Sequence, residues 1–434
     1  LGRDDRPDPP PCPHGPPGVP TAMAASMPCP TVHPFFAYTA EVLSWRLGRQ
    51  DSPAPAPAPT PQQTQSRVGR LLRARQAGAG RSDIVLLGLG SGDLAAALAA
   101  RLPSEAALTV VSLDPEAARS RLAAGRLPWL GPASPCRLLA DASPQAVCQL
   151  LFSCGFSPQS ALVTVNPESA APSESHALAL LRRLLTASRW AAPPNAPPDA
   201  PPKPTLALLA RPDEPRLEEF FAAAQGLAGQ AVIVWDAATV PAAAEQARAL
   251  EIPVRHLARP LDGDFAAQRN AMLESCPPGW VLSLDPDERP GPGFRASLAR
   301  IMAAPGLGAA YFPRLTLYPD HCRAKVGHGL WPDWQLRLYR TGPPGSPHYA
   351  RALHERLEGA TGRTGLALDA PILHFNRLVA DQAAVSDKLA AFSRLPGAAA
   401  HQLSADYPTL PLEFFTTLAP PDGQERLLLL PEQV

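Results

Sequence analysis

Two carboxylates one residue apart, Asp285 and Asp287, follow directly on the apolar run Trp280-Val-Leu-Ser-Leu284. A run of that length reads as a buried strand, and ligands of open α/β sheets bind beyond the carboxyl ends of strands. Paired carboxylates there suit a hard divalent cation, which clamps a diphosphate and offsets the charge of a leaving phosphate. Pro286 fixes its own φ and keeps Asp285 extended, so the turn should be rigid. The spacing alone is unspecific: Asp262-Gly-Asp264 repeats it. By itself it fits a solvated acidic turn; the strand just before it favours a metal site. A second constellation is Gly88-Leu-Gly-Ser-Gly92, between a short apolar run and an Ala/Leu-rich helix. Glycines there let a backbone approach a ligand and expose helix N-terminal N–H groups. Asp114 ends the next strand, where a carboxylate binds a ribose hydroxyl pair.

The elements that must position these residues alternate. Strands read at 83–87, 107–113, 137–140 and 161–165, and helices at 94–101, 115–124, 144–152 and 175–190. In the second half strands read at 205–209, 231–235, 253–257 and 280–284, and helices at 216–227, 241–250 and 265–275. Such alternation argues for parallel sheets covered on both faces. After Asp285 the pattern changes to short aromatic-rich strands at 310–312, 335–339, 348–351 and 372–375. A short helix reads at 35–49.

Composition sets the boundaries. The chain has 434 residues, 56 of them proline, about 13% against a usual ~5%. Sixteen prolines fall in 1–62, and seven of the twelve residues 193–204 are proline. The fold class is therefore α/β with two domains. Residues 1–64 are a Pro-rich, largely disordered region with one short helix, and 65–190 a Rossmann-like parallel sheet. Residues 191–204 form a linker, 205–380 the second domain and 381–434 a helical or irregular tail. The first residue is Leu1, and 1–26 read as an upstream translated stretch or tail, with Met27 a candidate start. Lys+Arg and Asp+Glu balance at 39 each, which excludes a general nucleic-acid binder. Seven scattered cysteines without metal spacing read as free thiols in a reducing compartment. No apolar stretch is long enough to cross a membrane, and no secretory signal is visible.

The segment Asp264-Phe-Ala-Ala-Gln-Arg-Asn270, followed by Trp280-Val-Leu-Ser-Leu-Asp-Pro-Asp-Glu288, resembles family 2 glycosyltransferases, in the branch of lipopolysaccharide-core glucosyltransferases. That branch carries D-F-[SA]-x-Q-R-N and then W-x-L-x-L-D-A-D-E. Three more segments match in order: Pro332-Asp-Trp-Gln-Leu-Arg-Leu-Tyr-Arg340, Leu353-His-Glu355 and Pro371-Ile-Leu-His-Phe375. Residues 205–377 are covered. Departures occur at Arg211-Pro-Asp-Glu214, at Asp236-Ala-Ala-Thr239 and at Pro286. The resemblance implies a GT-A fold, a nucleotide-sugar donor, a divalent metal (Mn or Mg) and transfer with inversion. It places Asp287, Asp285 and His354 at the metal. It places Asp236, Arg269, Asn270, Gln335 and Arg337 at the donor, and Glu355 or, second, Asp333 as the base. The acceptor would be a cell-surface glycan, a lipid-linked sugar or a protein. The setting would be bacterial and cytoplasmic, with peripheral contact at the inner membrane.

Gly88, Gly90, Gly92, Asp114 and the pair Asp141-Ala142 resemble the start of an S-adenosylmethionine-dependent methyltransferase. This implies a Rossmann-like domain and S-adenosylmethionine as a second cofactor. Alternatives remain at this point: a bifunctional glycosyl- and methyltransferase, or a non-catalytic assembly protein with a decayed donor site. Each residue also has a structural alternative. Asp264 can cap a helix, Arg269 can pair with a surface carboxylate, and Trp331, Trp334 and His374 can be core residues.

Overall fold

The computed structural model describes residues 33–46, 59–78, 80–131, 134–169, 172–192, 203–342, 347–351, 355–379, 406–419 and 426–432. The segment 1–26, most of the two proline-rich stretches and His354 lie outside the described residues.

The first half is a four-stranded parallel sheet of β1 (Asp83–Leu87), β2 (Leu108–Ser112), β3 (Cys136–Ala140) and β4 (Ala161–Val165), in the order β3-β2-β1-β4. Strand alternation sends successive side chains to opposite faces. Ile84, Leu86, Leu108 and Val110 pack with α2 (Pro61–Ala77) and α3 (Asp93–Ala99). Val85, Leu87, Val111 and Leu139 pack with α5 (Pro144–Ser153) and α6 (Pro172–Ala187). Between them in the chain, α4 (Pro115–Ala123) follows β2 and is capped by Asp114. Helix α1 (Pro34–Ser44) lies against β3.

The second half is built on a nine-stranded mixed sheet in the order β5-β20-β17-β11-β14-β9-β6-β7-β8. Its parallel half comprises β6 (Thr205–Ala210), β7 (Gln230–Trp235), β8 (Val254–Ala258) and β9 (Gly279–Ser283). The remainder comprises β5 (Arg189–Trp190), β11 (Leu307–Phe312), β14 (Gln335–Thr341), β17 (Arg363–Ala367) and β20 (Leu427–Leu429). Leu206, Leu208 and Ala210 of β6 join the core with α7 (Leu217–Ala224) and α9 (Phe294–Ala303). Ala207, one residue out of phase, joins the core with α8 (Phe265–Ser275). A small sheet, β10 (Glu288–Pro290), β18 (Ile372–His374) and β12 (Arg314–Thr316), closes the carboxyl end of β9. Two short pairs complete it: β13 (Arg323–Lys325) with β19 (Thr409–Pro411), and β15 (His348–Ala350) with β16 (Arg356–Glu358).

Several sequence expectations are corrected. The boundary at 65 falls inside α2, whose cap is Thr60. The helix expected over 241–250 is a 3-10 helix, Ala242–Leu250, rather than an α-helix. The tail contributes β19, β20 and the helix Leu412–Thr417, and β20 pairs with both β17 and β5. The two halves share one apolar core, in which Val147 and Leu151 of α5 cluster with Leu366, Leu368 and Leu428. Burial of these leucines requires the second sheet, which periodicity along one segment does not show. Cys136, Cys148, Cys154 and Cys276 are free thiols, but Cys322 is disulfide-bonded. Spacing along the chain does not reveal which thiols a fold brings together.

Candidate functional site

β9 has a parallel neighbour in β6 and an antiparallel one in β14, so the chain beyond its carboxyl end enters a crevice rather than a continuing layer. The turn after β9 is fixed from inside. The amide of Glu288 donates to Asp285 O at 2.9 Å, and Glu288 Oε2 accepts from the Asp285 amide at 3.1 Å. Glu288 is wholly buried. Its Oε1 accepts from Arg337 Nη2 at 2.6 Å and from Arg314 Nη1 at 3.1 Å. Arg337 comes from β14 and Arg314 from β12, so one buried carboxylate ties three strands together.

Asp285 faces two guanidiniums. Arg269 of α8 donates to Oδ1 at 3.0 Å, and Arg337 donates to Oδ2. Burial opposes its ionisation, but Arg337 and Arg269 prevail and hold the carboxyl well below the usual range. Arg269 also donates from Nε to Glu355 Oε1 at 2.7 Å. Asp333 completes the network: its Oδ2 accepts from Arg314 at 2.6 Å and its Oδ1 from Gln335 at 2.8 Å. Its φ of +43° is a left-handed conformation that aspartate tolerates better than most residues.

Asp287 differs from these four acids. Among the described residues it has no guanidinium partner; its neighbour is His374, whose Nε2 lies 3.3 Å from Oδ2. Thr316 holds the other ring nitrogen, with Oγ1 3.1 Å from Nδ1, and the Phe375 amide donates to Asp287 O at 2.8 Å. Burial again opposes ionisation most strongly, but the hydrogen bond and the charge of His374, with the more distant Arg314, together outweigh it and lower the Asp287 carboxyl below its ordinary value. Its side chain is 36% exposed, close to Asp333 at 35%, but Asp333 is engaged by Arg314 and Gln335, so Asp287 is the exposed acid that no guanidinium holds among the described residues.

The sequence-derived residues therefore divide. Asp285, Arg269, Arg337, Glu355, Asp333 and Gln335 form one network with Asp287 beside it. Asp236 sits at the end of β7 and accepts from the Leu261 amide at 2.8 Å. Asn270 does not line an open pocket: its amide bonds the Tyr349 backbone in both directions, at 2.9 and 2.7 Å. Asp264 caps α8 by accepting from the Ala267 amide at 2.9 Å. Trp331 is a core residue, and Trp334 donates to Gln149 at 3.1 Å. Glu288, Arg314 and the pairing of His374 were not found by sequence reasoning. His374 did stand in the quoted Pro371-Ile-Leu-His-Phe375 segment; for Arg314 the sequence holds no local signal.

Asp287 offers a partly exposed oxygen to a cation, but His374 Nε2 is spent on Asp287 itself, and among the described residues no group of three His, Cys, Asp or Glu side chains comes together to hold a metal ion. Asp285 does not fit that role, because both its oxygens are committed to arginines. The glycine turn fits its expected cofactor poorly. Gly88, Gly90 and Gly92 all take positive φ (+96°, +57° and +93°). The seat they create is filled by Glu168, whose Oε2 accepts from Ser91 N at 2.8 Å and Ser91 Oγ at 2.6 Å. A Cβ on Gly90 would meet Asn166 and Glu168 atoms at 2.6–2.7 Å. Asp114 serves as the cap of α4, accepting from the Ala117 amide at 2.9 Å. Glu168 thus occupies the turn at which S-adenosylmethionine was expected, and Asp114 is engaged as a helix cap.

The chain is similar to a glycosyltransferase. It is 30% identical over 139 residues to the lipopolysaccharide core biosynthesis glycosyltransferase LpsC of Rhizobium meliloti (strain 1021), over 30% of this chain. The match spans about half of that relative, 47% of its length. No protein-family profile matches the chain. Among solved structures, S. aureus TarS aligns at 16% identity and a TM-score of 0.24, over 32% of this chain and 28% of TarS. TarS 1–349 in complex with UDP-GlcNAc aligns at 17% and 0.25, over 32% of this chain and 45% of that one. Scores this low leave the likeness without weight for fold or function. No described helix is long and apolar enough to cross a membrane.

Proposed function

We propose that this chain is an inverting glycosyltransferase that moves a hexosyl group from a nucleotide-sugar donor to a glycan, lipid-linked or protein acceptor of the cell envelope. One observation carries the reading: of the acids gathered beyond β9, Asp287 alone has no guanidinium partner among the described residues, and it has His374 at its side. The likeness to the lipopolysaccharide-core enzyme over 139 residues supports it. Asp287 would offer the cation a carboxylate oxygen, with His374 orienting it; when bound, the cation would supply positive charge to the departing diphosphate. Asp236, at the end of β7, offers a carboxylate oxygen to the nucleoside.

Glu355 is the base. Arg269 engages only its Oε1, whereas Arg314 and Gln335 engage both oxygens of Asp333. The acceptor hydroxyl passes its proton to Glu355 as its oxygen bonds to the anomeric carbon. The bond from that carbon to the diphosphate oxygen breaks, and its electron pair leaves with the diphosphate. Arg269 holds Glu355 and Asp285 from one guanidinium, so it positions the base against the donor crevice.

The test is Asp287→Ala, assayed for Mn²⁺-dependent binding of UDP, GDP, TDP and CMP by thermal shift and for sugar transfer. Wild-type protein should show a Mn²⁺-dependent shift with one nucleotide, and the variant should lose it while melting at the same temperature. A variant that keeps metal-dependent binding and transfer would remove Asp287 from the reaction.

A further inference from the structure

A cavity of about 260 Å³ opens between α5, α9 and the helix Leu412–Thr417, lined among others by Leu315, Trp331, Leu373, Phe415 and Leu418. It lies behind the candidate site. Arg314 and His374 turn toward the carboxylates, while the adjoining Leu315 and Leu373, on the opposite faces of β12 and β18, line the cavity.

Its polar groups are nearly all spent. Gln149 donates to Leu368 O and accepts from Trp334 Nε1, each at 3.1 Å. Ser297 and Thr416 donate to carbonyls within their own helices, at 2.8 and 2.7 Å. Asp369 is held by Arg426 through both oxygens, at 2.6 and 2.9 Å. The chamber therefore offers little to a sugar or a nucleotide, and water needs two to four polar partners that it does not find there. Two groups are exceptions: Trp331 Nε1 is buried without a hydrogen-bond partner, and Arg300 lines the cavity, is exposed, and makes no ion pair or hydrogen bond among the described residues.

We propose that this cavity binds the hydrocarbon chain of a single-chain anionic lipid, with the anionic headgroup at Arg300. The inference does not rest on the transferase reading, since no residue of the carboxylate network faces the chamber. An apolar cavity of ~150 Å³ holds a benzene ring, so by proportion this one holds about ten carbons. Binding should strengthen about fourfold per methylene and stop strengthening once the chain outruns the cavity.

The experiment is titration calorimetry of the full chain with alkyl phosphates of six to fourteen carbons, below their critical micelle concentrations. Decanol and inorganic phosphate serve as the separate halves of the ligand. The expected result is saturable binding that rises with chain length and levels off near ten carbons. Decanol should bind several-fold more weakly than decyl phosphate, and phosphate should give no heat. Arg300→Ala should weaken decyl phosphate several-fold and leave decanol unchanged. Ala296→Trp and Thr416→Trp, both at exposed rim positions, should each cut decyl phosphate binding more than tenfold without lowering the melting temperature. Three results would each overturn the proposal: no saturable binding at any chain length, a rise without a plateau that ignores both rim tryptophans, or phosphate binding as tightly as decyl phosphate.

Discussion

Replacing Glu288 by Gln removes one charge from the centre of the arginine network and changes almost no volume. In the native protein Glu288 Oε1 receives Arg337 at 2.6 Å and Arg314 at 3.1 Å, and Oε2 receives the Asp285 amide at 3.1 Å. Glutamine keeps one oxygen acceptor but turns an NH₂ toward either the guanidiniums or that amide. Arg337 retains Asp285, and Arg314 retains Asp333, so neither cation is left wholly alone. Breaking a buried ion pair costs about 3–5 kcal/mol. The surviving partners place this substitution at the lower end, about 3 kcal/mol, still a large share of a total stability of ~5–15 kcal/mol. At ~2–4 °C per kcal/mol for a domain of this size, the melting temperature should fall by about 6–12 °C. The assay is a thermal melt of Glu288→Gln, Arg314→Met and the double variant. The double variant should be less destabilised than the sum of the singles, with a coupling above ~1 kcal/mol. A fall under 2 °C for Glu288→Gln, or additive single effects, would refute the view that Glu288 holds β10, β12 and β14 together.

Two further outcomes follow from the same geometry. Glu355→Gln should lower kcat by about 10²–10⁴ while leaving Mn²⁺-dependent nucleotide binding intact; unchanged turnover would pass the role of base elsewhere. Asp141 is fully buried, and burial pushes its carboxyl up to about 6 against the opposing hydrogen bonds from Tyr38 and the Ser143 amide. Its folded pKa lies above the unfolded value, so its contribution is fully present below pH ~4 and is lost as pH rises through 6. Between those limits wild-type stability should fall by roughly 2–3 kcal/mol from this group, a slope that Asp141→Asn should flatten in melts taken from pH 4 to 7. An identical slope in the variant would assign the titration to another residue.

The alternating strands and helices were readable because the apolar runs are short and set off by turn residues, and most strands are buried on both faces, although β4 and β8 at the sheet edges are only half-buried. Segments 83–87 and 265–275 were read to the residue. The parts that failed were those whose stability comes from elsewhere in the chain. The segment Leu427–Leu429 has no strand signal of its own beyond three leucines, and it becomes a strand by inserting between β17 and β5. Helix α2 begins with Pro61, which reads as linker until Thr60 and Gln63 are seen to close a capping box.

The sequence by itself determined that Asp285-Pro-Asp-Glu288 ends a buried strand and that Gly88-Leu-Gly-Ser-Gly92 joins a strand to a helix. Both are local facts, set by apolar runs, proline and glycine within a few residues. What each group is available to do was decided only by the tertiary structure. Arg269, Arg314 and Arg337 come from three separate elements, and between them they pair with Asp285, Glu288, Asp333 and Glu355 while leaving Asp287 to His374. Glu168, 76 residues beyond Gly92, fills the glycine turn with the protein's own carboxylate. Charge pairing depends on separation in space, and the spacing along the chain does not encode it.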